Sequence, residues 1–192
     1  MANKQVSAVD IKELYYCDPT LITADLTPIA LKQLLANSAI VKIENVHQDT
    51  WQIEESEASQ DSYRNQLTGN VYRFGRKTMG ELTFNFTIGR YDYATKAALL
   101  GGTVLKKGGS GADKEDAIGW KRARGVVEIK KCFVALTLDD QYAVLPYANT
   151  SAREANTDGA IGLAVTATMM EPEIAAVSPE YWYDKDVVDK AQ

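Results

Sequence analysis

The sequence predicts a mainly β fold, and three segments carry that prediction. From Glu81 to Gly89, the apolar residues Leu82, Phe84, Phe86 and Ile88 alternate with Glu81, Thr83, Asn85 and Thr87, which is the two-residue period of a strand with one apolar and one polar face. From Ile161 to Met169, Ile161, Leu163, Val165, Ala167 and Met169 share one face, while Gly162, Ala164, Thr166 and Thr168 share the other. From Val126 to Leu138, Val127 and Ile129 fall in one phase, and Cys132, Val134, Leu136 and Leu138 in the other. The slip at Lys130 and Lys131 predicts a β-bulge or a strand covered on both faces.

The remaining elements follow from weaker signals. Asp139 and Asp140 read as a turn, because Asp tolerates turn geometry, and Tyr142 to Tyr147 returns as a partner strand. Ile40 to Val46, Trp51 to Ile53 and Val71 to Arg76 read as shorter strands rich in aromatic and β-branched residues, for about seven strands in all. Thr27 followed by Pro28 is a helix start, a capping hydroxyl and then a proline preset for the first turn, with Leu31, Leu34 and Leu35 as the buried stripe. A second helix from Asp92 to Leu100 has Asp92 as its cap, Tyr93, Ala97 and Leu100 on one face, and Gly101-Gly102 at its end. Both helices are expected to lie over a sheet. Glu54 to Asn70 and Lys106 to Gly119 read as long loops. Pro179 to Gln192 reads as an exposed tail, whose Tyr181, Trp182 and Tyr183 suit docking on a neighbour.

The composition bounds the function. A chain of 192 residues with 45% apolar and 24% charged residues has the balance of a single globular domain and not of a disordered or membrane protein. Met1 to Lys12 carries Lys4, Asp10 and Lys12 without an apolar segment and cleavage site, so no signal peptide is expected. No apolar run approaches the roughly 20 residues that a bilayer crossing needs. A net charge of −5 opposes non-specific affinity for nucleic acid, which depends on Lys and Arg neutralising phosphates. Cys17 and Cys132 belong to no CxxC pair and read as buried reduced thiols in a reducing cytoplasm.

No residue pattern points to catalysis. His47 is the single histidine, so a nucleophile-base arrangement would have to be built around it alone, and it reads as a surface residue at a strand end. Asp113, Glu115 and Asp116 lack the oxygen spacing of a calcium loop and read as a solvated acidic loop. Gly69 to Thr78 ends in Gly-Arg-Lys-Thr, but its spacing does not fit a phosphate loop. Lys106 to Gly111 lacks the strand-to-helix context of an anion site. Lys121, Arg122 and Arg124 beside Trp120 form one short basic patch, read as a subunit contact or a solvated strand end. Asn85-Phe86-Thr87 and Asn149-Thr150-Ser151 match the glycosylation pattern, which has no meaning without secretion. The chain is therefore read as a non-enzyme, with no catalytic, cofactor-binding or metal-binding residues.

From Trp51 to Gly102 the order of parts is strand, polar segment, aromatic strand, alternating strand, short helix and double glycine. Gly80-Glu81-Leu82-Thr83-Phe84-Asn85-Phe86-Thr87-Ile88, then Tyr91-Asp92, then Leu99-Leu100-Gly101-Gly102 resemble the phage major tail tube protein family, which is related in architecture to the type VI secretion tube protein. The hairpin Val126 to Tyr147 and the strand Ile161 to Met170 extend the resemblance over most of residues 40–172. It implies an antiparallel β-sandwich or half-barrel with one or two short flanking helices, preceded by an N-terminal arm and short helix (1–39) and followed by a C-terminal tail (173–192).

The function implied is that of a structural virion protein. Its partners would be copies of itself in stacked hexameric rings, together with tape measure, terminator and baseplate proteins, with DNA passing through unbound and no membrane contact. It would be assembled in the bacterial host cytoplasm and reside in the virion tail. On this reading Glu81, Thr83, Asn85 and Thr87 form an acidic, polar lumen face, and Tyr63, Arg64 and Asn65, within the segment Glu54 to Asn70, make subunit or ring-to-ring contacts. Ring closure would also use up edge strands that are otherwise an aggregation hazard. The alternatives are a secretion-system tube subunit, or a ligand-binding β-barrel or sandwich in which Tyr72, Phe74, Tyr142 and Tyr147 line a pocket.

Overall fold

The computed structural model describes residues 10–108 and 115–191. These residues form twelve strands and three short α-helices. The strands are β1 (Ile11–Cys17), β2 (Val41–Ile43), β3 (Gln52–Glu55), β4 (Ser59–Arg64), β5 (Val71–Thr78), β6 (Leu82–Ile88), β7 (Thr103–Lys106), β8 (Ala117–Lys121), β9 (Lys130–Thr137), β10 (Gln141–Thr157), β11 (Ala160–Met169) and β12 (Tyr181–Asp184). The helices are α1 (Pro28–Leu35), α2 (Tyr93–Leu100) and α3 (Lys185–Lys190). The fold is mainly β, with antiparallel pairing throughout.

The main sheet runs β2-β1-β9-β10-β11-β6-β3, with β12 also paired to β10. Two separate ribbons, β4-β5 and β7-β8, complete the fold. Strand β10 is long enough to serve two halves of the sheet. Its first residues, Tyr142 to Leu145, pair with β9, and Gln141 to Val144 pair on the other side with β12. Its second half, Ala148 to Thr157, pairs with β11.

The phase slip at Lys130 and Lys131 falls where β9 begins, opposite a bulge in β10. Lys131 is opposite Ala148 and Phe133 is opposite Leu145, so Cys132 faces both Pro146 and Tyr147. This is a β-bulge whose extra residue lies on the partner strand, and a bulge is one of the few places where a sheet tolerates proline. The strand is also covered on both faces. Phe133 and Ala135 enter one core with Leu14, Phe84, Phe86, Leu145, Leu163 and Leu99. Cys132, Val134 and Leu136 enter a second core with Ile22, Leu31, Leu34, Tyr142, Val144 and Val188. The expected strand Val126 to Leu138 therefore starts later, at Lys130, because Val126 and Val127 are exposed.

The first core lies inside the curl of the sheet, where Phe86 meets Phe133 edge-on at 5.7 Å and Trp51 meets Phe84 at 5.2 Å. Such tilted ring pairs add to the area they bury. Helix α2 closes this core through Leu99, which has no exposed surface, whereas Tyr93 is exposed. Of the expected face Tyr93, Ala97 and Leu100, Leu100 packs against this core as a partly buried residue and Tyr93 does not. The second core is closed by α1 and α3.

The C-terminal stretch is not an exposed tail. Strand β12 pairs with β10, Tyr181 Oη donates to Asp25 Oδ1 at 2.6 Å, and Tyr183 Oη donates to the Leu26 carbonyl at 2.8 Å. Lys32 Nζ on α1 donates to the carbonyls of Asp189 and Ala191 at the end of α3, where a cation complements the helix dipole. The aromatics expected to dock on a neighbour dock on this chain's own sheet. At the other end, residues 11–35 contribute β1 to the main sheet and α1 to the second core.

Both helix starts follow the sequence signals. Thr27 Oγ1 accepts from the Ala30 amide, and Asp92 Oδ1 accepts from the Thr95 amide at 2.7 Å. The hydrogen bond from Thr95 holds the Asp92 carboxyl below its ordinary value of 3.8. A lowered folded-state pKa means stability that is present above that ordinary value and is lost as pH falls through the lowered one. Asp92→Ala is expected to cost about 1 kcal/mol at pH 7, with the gap to the native chain closing below pH 3.8; urea melts at a series of pH values measure it.

Candidate functional site

Three features of the fold lie outside its cores: the β7-β8 ribbon, a polar face of the sheet, and the β4-β5 ribbon, and the last two hold the residues that the sequence singled out for lumen and contact. The polar face arises where β6, β11, the second half of β10 and β3 each turn one row of side chains away from the first core. Cross-strand register aligns these rows. Gln52, Asn85, Thr166 and Ser151 form one, Glu54, Thr83, Thr168 and Asn149 the next, and Thr87, Ala164 and Arg153 a third. Thr166 Oγ1 donates to Asn85 Oδ1 at 2.9 Å, and Thr83 Oγ1 donates to the Glu54 carbonyl at 3.3 Å. A shallow depression of about 220 Å³ lies on this face among Asn85, Thr87, Ser151, Arg153 and Thr166.

Three of the four residues expected on a lumen face have part of their surface open here. Thr83 and Asn85 lie on the polar face of β6, and Glu81 is exposed just before the strand. Thr87 is only 7% exposed. Its amide donates to Thr50 Oγ1, and the loop that carries Thr50 covers it. Within the aligned rows the charged residues are Glu54 and Arg153, so the rows are chiefly hydroxyl and amide, with the exposed Glu81 beside them. The alternation of Ile161 to Met169 pointed to Thr166 and Thr168. Ser151 and Arg153 gave no such signal, because β10 extends well past the expected Tyr147.

The β4-β5 ribbon replaces most of an expected loop. Glu54 to Asn70 contains the last residues of β3 and all of β4, and β4 pairs with β5 to form a ribbon. The ladder slips twice, with Gly75 and Arg76 opposite Asp61, and Tyr72 unpaired between Arg73 and Val71. Both slips place the extra residue on β5 and increase its twist. At about 3.3 Å per residue the ribbon reaches about 25 Å.

Every residue of β4 is exposed. Tyr63 is 48% exposed, Tyr72 68%, Phe74 61% and Leu67, at the tip, 94%. Arg64 and Asn65, expected as contact residues, hold the tip together: Arg64 Nη1 donates to the Gly69 carbonyl, and Asn65 Oδ1 accepts from the Leu67 amide. The Tyr63 ring lies beside Gly75 and is about half exposed, while Tyr72 and Phe74, which were not assigned to contact, are more open.

The base of the ribbon is clamped. The Ser56 amide donates to the Glu81 carbonyl at 3.0 Å, and the Glu81 amide donates to Ser56 Oγ at 2.8 Å. Gly80 lies so close that a Cβ there would stand 1.6 Å from the Ser56 carbonyl oxygen.

Other sequence candidates resolve into structural roles. The four aromatics considered for a ligand pocket do not converge. Tyr72 and Phe74 are on the ribbon, Tyr142 is in the second core, and only Tyr147 lines the cavity of about 500 Å³ between the turn at Pro19 to Thr23 and the segment Pro172 to Val177. Of the basic patch, among the described residues, only Arg122 has a salt bridge, to Glu154, while Lys121 and Arg124 are exposed. Lys96 Nζ sits 4.3 Å over the Trp120 ring, and Glu154 bridges Lys96 and Arg122. The bond from Lys96 holds the Glu154 carboxyl below its ordinary value.

His47 Nε2 lies 3.1 Å from Asp158 Oδ2 at the surface. Glu115 pairs with Lys106, while Asp113, Gly109, Ser110 and Gly111 lie outside the described residues. Among the described residues no three His, Cys, Asp or Glu side chains converge as a metal site, and no helix is long and apolar enough to cross a membrane. No protein-family model matches the chain, and no curated protein matches it.

Two substitutions separate the open part of the polar face from its covered edge. Thr166→Lys is expected to change stability by no more than about 0.5 kcal/mol. Thr87→Lys, which places a charge beneath the Thr50 loop and against Gly162, is expected to lower Tm by several degrees. Thermal melts compare them. Gly80→Ala is expected to cost about 1–3 kcal/mol by forcing the ribbon base apart, measured by urea denaturation.

Proposed function

We propose that this chain is a self-assembling tube subunit, with the β4-β5 ribbon as its principal docking arm and the polar face of β6, β11 and β10 as the wall of a conduit. The observation that carries this reading is the arm. A two-stranded ribbon is marginally stable alone in water, and this one holds Leu67, Tyr72 and Phe74 largely in solvent, with Tyr63 half exposed. Exposed aromatic side chains grouped on one extended element mark an interaction surface. The clamp at Ser56, Gly80 and Glu81 sets the arm firmly on the sheet.

The sheet supports the same reading. Its order ends in β2 on one side and β3 on the other, and unpaired edge strands are completed most simply by another copy. A ring closed in this way joins copies edge to edge, and the arm then bridges to the next ring. The resemblance of Gly80 to Ile88, Tyr91-Asp92 and Leu99 to Gly102 to the tail tube family supplies the biological setting, a phage tail through which DNA passes. A hydroxyl- and amide-lined wall suits that role because it offers few cations to hold phosphates. A secretion tube would use the same assembly in another setting.

Negative-stain electron microscopy of concentrated protein tests the reading. Stacked rings or tubes are expected from the native chain. A variant in which Ser56 is joined to Gly80 through a two-residue Gly-Ser linker, removing the arm, is expected to stay folded and form no tubes. A native chain that remains monomeric at every concentration, or an armless variant that still forms tubes, contradicts it.

A further inference from the structure

Cys17 and Cys132 lie far apart in sequence, yet antiparallel pairing of β1 with β9 places them directly opposite one another. Directly opposed residues in an antiparallel ladder have Cα atoms about 4.5 or about 5.5 Å apart, and a disulfide spans about 4.4–6.8 Å between Cα atoms. The two side chains belong to the same core and are buried, Cys17 at 2% and Cys132 at 0% exposure. Both are free thiols. Cys17 is the last residue of β1, and Asp18 next to it is exposed. Asp18 also lines the cavity of about 500 Å³ described above, from which a small oxidant would approach.

We propose that Cys17 and Cys132 are a site of reversible disulfide formation, which fastens β1 to β9 when the protein meets a peroxide-class oxidant outside a reducing compartment. Cys17 reacts first, because it ends β1 beside the exposed Asp18, whereas Cys132 lies within β9 and has no exposed surface. The Cys17 sulfur attacks one oxygen of hydrogen peroxide, the O–O bond breaks, and the products are a sulfenic acid and water. The Cys132 sulfur then attacks the sulfenic sulfur; the S–S bond forms, the S–O bond breaks, and the oxygen leaves as a second water. Two electrons pass from the two sulfurs to the peroxide oxygens, and both thiol protons end in water.

The bond would close a loop spanning most of the chain, and cross-links that close long loops remove the most freedom from the unfolded state. It would also bind the segment bearing α1 to the central hairpin. This inference does not depend on the tube reading, because its readout is on the isolated subunit.

The test is the mass of the purified native chain after exposure to dilute hydrogen peroxide, measured under denaturing, non-reducing conditions. The expected result is the loss of two hydrogens, a peptide joining the Cys17 and Cys132 regions within one chain, and a rise in Tm of about 5–10 °C that dithiothreitol reverses. Cys17→Ala and Cys132→Ala should each abolish both the mass loss and the Tm rise. Should either variant fail to fold, the peptide map of the native chain decides alone. Two unmodified thiols, oxygen added to either cysteine without pairing, or a dimer linked between chains would overturn the proposal.

Discussion

The fold depends on one constraint: the hairpin of β9 and β10 is apolar on both faces. Phe133, Ala135, Ala143 and Leu145 must be covered on one side, and Cys132, Val134, Leu136, Tyr142 and Val144 on the other. A strand buried on both faces cannot lie at the surface of a single-layer sheet, so the chain must build two covers. The sheet itself supplies the first by curling until Phe84 and Phe86 of β6 and Leu163 and Val165 of β11 meet Phe133, with Leu99 of α2 closing the space. The two ends of the described chain supply the second. Leu31 and Leu34 of α1, Val177, and Val188 of α3 share a core with Val134 and Val144. This is why residues 11–35 and 177–190 are integral to the domain, and why Lys32 and Tyr183 reach across between them.

With the apolar side chains committed to those cores, β6, β11 and the far half of β10 are left with one face to spare, and that face is polar. The rows of Gln52, Asn85, Thr166 and Ser151 and of Glu54, Thr83, Thr168 and Asn149 follow from register alone. The arm departs from this economy, as do the exposed Ile118, Val126 and Ile161. It buries neither face, yet it carries Tyr63, Leu67, Tyr72 and Phe74. A folded subunit gains little by holding those side chains in water, and an assembly gains the area they cover.

Legibility in the sequence followed burial. Strand β6 and strand β11 were read correctly because each has one wet and one dry face, which is the condition that produces a two-residue period. The caps Thr27 and Asp92 and the turn at Asp139 and Asp140 were legible because their chemistry is local. Strand β4 was not, because Ser59 to Arg64 is exposed on both faces and so carries no period. The extension of β10 through Ser151 to Thr157 is polar for a related reason, having lost its β9 neighbour and its second cover. Leu99 was missed as the buried residue of α2 because eight residues are too few to fix a helix face by pattern. The partnership of Cys17 and Cys132, the bulge at Pro146 and Tyr147, and the rows of the polar face are all matters of register, which only pairing reveals. The same holds for the arm's clamp, where Gly80 is required by the proximity of Ser56.

Self-association through the arm is the central claim, and hydrogen–deuterium exchange of the native chain at low and high concentration tests it most directly. Amides of Ser59–Arg64 and Val71–Thr78 should gain protection as concentration rises, together with the edge strands Val41–Ile43 and Gln52–Glu55, while the β9-β10 hairpin stays equally protected throughout. Exchange in the arm that is fast and independent of concentration, in samples shown by light scattering to have assembled, would contradict it.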